Sequence, residues 1–136
     1  MNPKAAALQA RTHQFFITVI ALCRTVDKDD AGESICRQLL DSAGATDSNY
    51  RAACKARSKK EFIARIGVAA EEADESLGWL IALRDARIGD QKRLAPLIDE
   101  AHELTSIFVK SGKTASERLK EEESRRRGAV RSRRPR

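Results

Sequence analysis

Aromatic side chains are scarce in this sequence: four Phe, one Tyr and one Trp in 136 residues. A core built without them must be aliphatic and alanine-rich, which suits closely packed helices better than a sheet. Proline is also rare, and Pro3, Pro96 and Pro135 leave long stretches free of the strongest helix breaker. Cysteine occurs only as Cys23, Cys36 and Cys54, an odd number with no metal-type spacing, so reduced and buried thiols are expected rather than a disulfide framework. The apolar run Phe15–Cys23 falls far short of the roughly 20 residues that cross a bilayer. The basic, alanine-rich start Met1–Arg11 lacks an apolar core followed by a small-residue cleavage site. It reads as the start of a helix rather than a targeting segment, and the protein as cytoplasmic with no membrane partner.

What is present bounds the answer further. The length is that of one domain, enough to bury a core without staples. The formal net charge of +6 is unevenly placed. All 20 acids and 19 of the 26 bases lie in residues 1–123, which leaves that body close to neutral. Residues 124–136 hold Arg125, Arg126, Arg127, Arg131, Arg133, Arg134 and Arg136 with no acid. Such a basic, apolar-poor segment cannot bury enough surface to order itself, so the expectation is a four-helix domain over 1–123 and a disordered tail over 124–136, open to polyanions.

Helical periodicity runs through the body. Leu8, Thr12, Phe15, Phe16, Val19, Ile20, Cys23 and Val26 recur at three- and four-residue steps and predict a first helix over about 4–26. Asp27–Gly32 is a polar break, and a second helix follows over about 33–56 with Ile35, Leu39, Ala43, Thr46, Tyr50 and Ala53 inward. Gly44 in its middle costs about 1 kcal/mol relative to Ala and marks either a kink or a close helix contact. Ser58-Lys59-Lys60-Glu61 is a capping box that opens a third helix over about 59–87, with Phe62, Ile66, Ala69, Ala70, Ala73, Leu77, Leu80 and Ile81 inward. Gly89 reads as its left-handed stop. The fourth helix covers about 91–120, with Pro96 early, Gly112 a point of fraying, and Leu94, Leu97, Ile98, Ala101, Leu104, Ile107 and Phe108 inward. The fold class is all-α, an antiparallel up-down-up-down bundle.

Little in the sequence suggests catalysis. His13 and His102 are the only histidines and stand on different helices without a Glu-x-x-His motif, so a surface or interface role is expected and no cofactor or metal. Glu71, Glu72, Asp74 and Glu75 read as a solvated or ion-paired face. There is no phosphate-cradling glycine loop and no nucleophile motif. The protein is expected not to be an enzyme. The basic corner is more informative. Arg51, Lys55, Arg57, Lys59, Lys60 and Arg65 fall within fifteen residues opposed only by Glu61, a surface that could hold a phosphate backbone or pair with acids of the third and fourth helices.

The ordered motifs Asn49-Tyr50-Arg51, Arg57-Ser58-x-x-Glu61-Phe62 and Glu72-Ala73-Asp74-Glu75-Ser76-x-x-Trp79-Leu80 resemble the bacterial four-helix-bundle proteins encoded in intervening sequences of 23S ribosomal RNA genes. The resemblance spans roughly residues 10–115. It implies an up-down-up-down bundle that assembles into a homopentamer, without established enzymatic activity, and with RNA or DNA binding proposed from charge and genomic location. A more distant resemblance in fold, to the accessory protein of diversity-generating retroelements, implies a reverse transcriptase as a protein partner. The alternative to nucleic-acid binding is a protein–protein assembly scaffold. Within the motifs, Ser58 and Glu61 cap the third helix and Phe62 opens its core face. Asn49 and Arg51 are expected to contact Glu72, Asp74 or Glu75 within the bundle or across a subunit boundary, or to lie on the open surface. Trp79 is expected to anchor the core or an interface, with base stacking as the lesser reading.

Overall fold

Four helices, each begun by a side-chain cap, make up the fold in the computed structural model, which describes residues 1–135. In α1 (Pro3–Cys23), Asn2 Oδ1 accepts from the Ala5 N–H at 3.1 Å, and Pro3 takes the first helical position, where a missing N–H costs nothing. In α2 (Asp30–Cys54), Asp29 accepts from the Gly32 N–H at 2.7 Å. The acids expected to form a turn are therefore the cap and first turn of the helix, where negative charge suits the dipole. In α3 (Lys59–Asp85), Ser58 Oγ accepts from the Glu61 N–H at 3.1 Å. The Glu61 carboxylate accepts from the Arg57 N–H at 2.9 Å, one residue further back than a capping box requires. Asp90 caps α4 (Gln91–Arg133) through the Lys92 N–H at 3.0 Å.

The end of α3 differs from expectation. The left-handed residue that closes it is Arg87, with φ 59°, two positions before Gly89. The Ile88 N–H donates to Leu83 O at 2.9 Å and the Arg87 N–H to Arg84 O at 3.1 Å, the paired bonds of a Schellman cap. Gly89, with φ 84°, then turns the chain into α4.

Each helix packs on its neighbours in chain order and α1 closes against α4, leaving α1–α3 and α2–α4 as the diagonals of an antiparallel bundle. No strand occurs among the described residues. The core draws Phe15, Val19 and Leu22 from α1, Leu39, Ala43 and Tyr50 from α2, Ile66, Ala73 and Leu80 from α3, and Leu94, Leu104 and Phe108 from α4. Tyr50 stacks on Phe108 with ring centroids 5.2 Å apart. Ile35, Phe62, Trp79 and Ile81 are only partly buried at the edge of this cluster. Of the two readings of Gly44, the close contact holds: a β-carbon there would stand 3.2 Å from the Phe16 ring, and α2 runs through it as one helix.

The buried hydroxyls are hydrogen-bonded. Ser42 and Ser76 share a hydrogen bond of 2.8 Å between α2 and α3, while Thr46 donates to Ser42 O and Ser76 to Glu72 O. Arg11 of α1 donates to Glu100 at 2.9 Å and also to Glu103, tying α1 to α4. Cys36 is buried, Cys23 and Cys54 are half-buried, and all three are free thiols. Burial, with the neighbouring Cys36 thiol, pushes the Cys23 thiol well above its ordinary range.

The largest departure lies at the C-terminus. Residues 124–133, expected to be disordered, continue α4, and only Arg136 of the expected tail lies outside the described residues. Gly112 does not end the helix; it faces Ile66 of α3 across a close contact. Composition alone missed the extension because its support is partly long-range: Glu122 is held by Lys59 of α3, and Glu121 pairs with Arg125 one turn on, at 3.9 Å.

Candidate nucleic-acid interface

Antiparallel packing brings the start of α1, the end of α2, the start of α3 and the distal part of α4 to one end of the bundle. There, Lys59 Nζ of α3 is ion-paired with the Glu122 carboxylate of α4. Beyond Glu122, α4 carries Arg125, Arg126, Arg127, Arg131 and Arg133 over about 16 Å, at 1.5 Å per residue. All of them and Arg134 are exposed. The basic corner and the arginine segment, separate in the sequence, thus form one electropositive end. Its field is felt at Glu122. The hydrogen bond from Lys59 holds that carboxyl below the usual carboxylate range against its desolvation, with lesser help from the charges of Lys59, Arg126 and Arg125.

A cavity of about 740 Å³ opens at this end. Leu8, Tyr50, Phe62 and Ile107 give it an apolar floor, and Lys4, Arg57, Lys59 and Arg118 stand among its lining residues. No carboxylate lines it among the described residues. Asn2 and Ser58, the caps of α1 and α3, also line it, so two positive helix termini meet there. An adjoining cavity shares Lys4, Phe62, Ile107 and Arg118 and adds Lys110.

The six cations of the corner do not act as one group. Arg57 and Lys59 join the cavity, whereas Lys55, Lys60 and Arg65 are exposed and in no ion pair among the described residues. Arg51 turns toward α1 instead. Its guanidinium donates to Asp47 at 3.2 Å, and the same carboxylate oxygen receives His13 Nδ1 at 2.8 Å. Asp47 is itself buried, and its other oxygen, Oδ1, takes no hydrogen bond from the described groups. Sequence reasoning missed Asp47, and it missed Lys4, Lys110 and Arg118. Lys110 and Arg118 lie two turns apart on α4, but Lys4 stands on α1, and only the packing of α1 against α4 brings it beside them.

Asn49 and Arg51 find their hydrogen-bond partners within α2. Asn49 Nδ2 donates to Ala45 O at 2.9 Å, so within one chain neither Asn49 nor Arg51 meets Glu72, Asp74 or Glu75. The register explains this, because Ser42 opposite Ser76 sets Asn49 and Arg51 beyond the acidic stretch of α3, toward the basic end. Glu72 is half-buried, and burial raises its carboxyl above the usual range, with the charges of Glu75 and Glu71 adding to the shift. Trp79 is half-buried, donates to Glu75 at 3.4 Å and lies in the half of α3 remote from the cationic cavity.

No helix of the described residues is long and apolar enough to cross a membrane. No functionally curated protein matches the chain. Among solved structures, it is similar to a protein of unknown function from the S23 ribosomal protein family of Bacteroides thetaiotaomicron, at 22% identity and a TM-score of 0.71, over 81% of this chain and 98% of that one. That likeness shows the fold. The model of the 23S rRNA-intervening sequence protein family matches residues 6–110, most of the bundle, and the chain belongs to that family.

Proposed function

We propose that this protein is a non-catalytic, self-assembling accessory protein that binds RNA or DNA through the basic end of its bundle. The observation that carries the reading is the Lys59–Glu122 pair, which aligns the arginine-bearing end of α4 with the corner cations Lys55, Arg57 and Lys60. Exposed cations on ordered helices engage phosphates without reading sequence. The reading includes a homopentamer, in which several weak sites would gain avidity over one. It also includes a cytoplasmic setting, which suits free thiols.

The test is fluorescence anisotropy of a labelled oligonucleotide across a salt series. Removing residues 124–136 spares Glu122 and should weaken binding and flatten its log–log salt slope, by about 0.7–0.9 for each phosphate that is no longer neutralised. Changing Lys55, Arg57 and Lys60 to Ala, with Lys59 kept for its ion pair, should weaken what remains while circular dichroism is unchanged. Absence of binding by the parent at low salt defeats the reading. Retention of one protein partner, such as a reverse transcriptase, through nuclease treatment would instead mark an assembly scaffold. Analytical ultracentrifugation should show one species at the pentamer mass of the 15.1 kDa chain, and a clean monomer removes that part of the proposal.

A further inference from the structure

The charge of the basic end accounts for attraction to any polyanion, but not for the apolar cavity set inside it. We infer that the cavity between the starts of α1 and α3 and the distal part of α4 receives an unstacked base of a single-stranded nucleic acid, with its flanking phosphates on Lys4, Arg57 and Arg118. The inference rests on the nucleic-acid reading above and adds which form of nucleic acid this end selects.

One ligand must satisfy both kinds of lining together. The floor of Leu8, Tyr50, Phe62 and Ile107 favours an apolar, flat body. The flanking cations Lys4, Arg57 and Arg118 favour negative charge beside that body; no carboxylate is among the described lining residues, and Glu122 engages Lys59 rather than these three. Its volume of about 740 Å³ lies in the range of sites that enclose small organic ligands. A duplex keeps its bases stacked and offers this surface phosphates only. A single strand can turn a base out and present both features at once. The path onward is also built. Ser111, Ala115 and Arg118 line the cavity from α4, and Arg125 lies two turns beyond Arg118 on the same helical stripe. A strand with one base in the cavity therefore has its next phosphates within the reach of the arginine segment. An acidic helix of a protein partner would answer the charge, but it needs a row of apolar anchors, and the α4 stripe becomes cationic where such a row would continue.

The experiment uses the full chain and three labelled probes at one salt concentration: an oligothymidylate about 12 nucleotides long, its duplex with oligoadenylate, and the same strand with abasic spacers in place of its bases. The single strand should bind about tenfold more tightly than either comparison probe. Ser111→Trp, which fills the cavity from its partly exposed rim, should remove that preference and leave duplex binding unchanged. Arg118→Gln should weaken the single strand more than the duplex. Equal affinity for all three probes overturns the base pocket while nucleic-acid binding stands. Failure of every probe brings down the functional reading as well, and binding of a Glu-rich amphipathic peptide in their place would assign the cavity to a protein partner.

Discussion

Lys59, the first residue of α3, donates from Nζ to the carboxylate of Glu122, 63 residues further along the chain and deep in α4. The pair ties the first turn of α3 to the distal part of α4. Both side chains remain about half exposed, so the pair marks the register that packing sets and adds little energy of its own.

The pair makes the distal part of α4 sensitive to acid. The folded state holds the Glu122 carboxyl below its unfolded value, so its contribution is present above the ordinary carboxylate range and disappears as pH falls through the folded value. Cα chemical shifts of residues 116–126 should move toward coil on acidification from about pH 5 to about pH 3. Glu122→Gln should show the frayed shifts already at neutral pH and little further change. Identical acid profiles for parent and variant would dissociate the ion pair from the helix.

The cap of α3 is testable by stability. Ser58→Ala removes the acceptor for the Glu61 N–H and should cost about 1 kcal/mol in denaturant unfolding. Glu61→Ala frees the Arg57 N–H at an exposed site, so its effect should be smaller. Overlapping melts for Ser58→Ala and the parent would mean that the cap contributes nothing.

Arg87 occupies a left-handed conformation that a side chain disfavours by about 1–2 kcal/mol. Arg87→Gly should therefore raise stability by about 1 kcal/mol, the larger unfolded-state entropy of glycine taking back part of the gain. Gly89→Ala should destabilise, since its φ of 84° is also left-handed and a β-carbon there would stand 3.0 Å from Val26. A loss of stability in Arg87→Gly would mean that the arginine side chain does more than its backbone position requires.

Gly44 and Gly67 separate close packing from propensity within α2 and α3. Gly44→Val would force its side chain into the Phe16 ring and should cost about 1–3 kcal/mol. Gly67→Ala meets nothing within 4 Å in the single chain and should gain up to about 1 kcal/mol in helix propensity. Loss of the oligomer in Gly67→Ala, read by sedimentation, would place that bare stretch of α3 against another copy.

The sequence by itself determined the four helices, their inward faces and most of their starts. Those features depend on residues three or four apart: Leu39, Ala43, Thr46, Tyr50 and Ala53 share one stripe, and Ser58 reaches the amide of Glu61 within a single turn. Where two local rules competed, local reading failed. Asp29 and Asp30 looked like a turn and are the cap and first residue of α2, and Arg87 took the left-handed position expected of Gly89. Only the tertiary structure decided which distant residues meet. It closed Gly44 against Phe16, turned Arg51 to Asp47 rather than to the acids of α3, and gathered Lys4, Arg57, Lys59 and Arg118 around one cavity. It also joined the basic corner to the arginine end of α4, which composition had separated as a tail. The physical reason is range: capping and periodicity act within a turn of one helix, whereas the register between helices is set by the packing of all four faces at once.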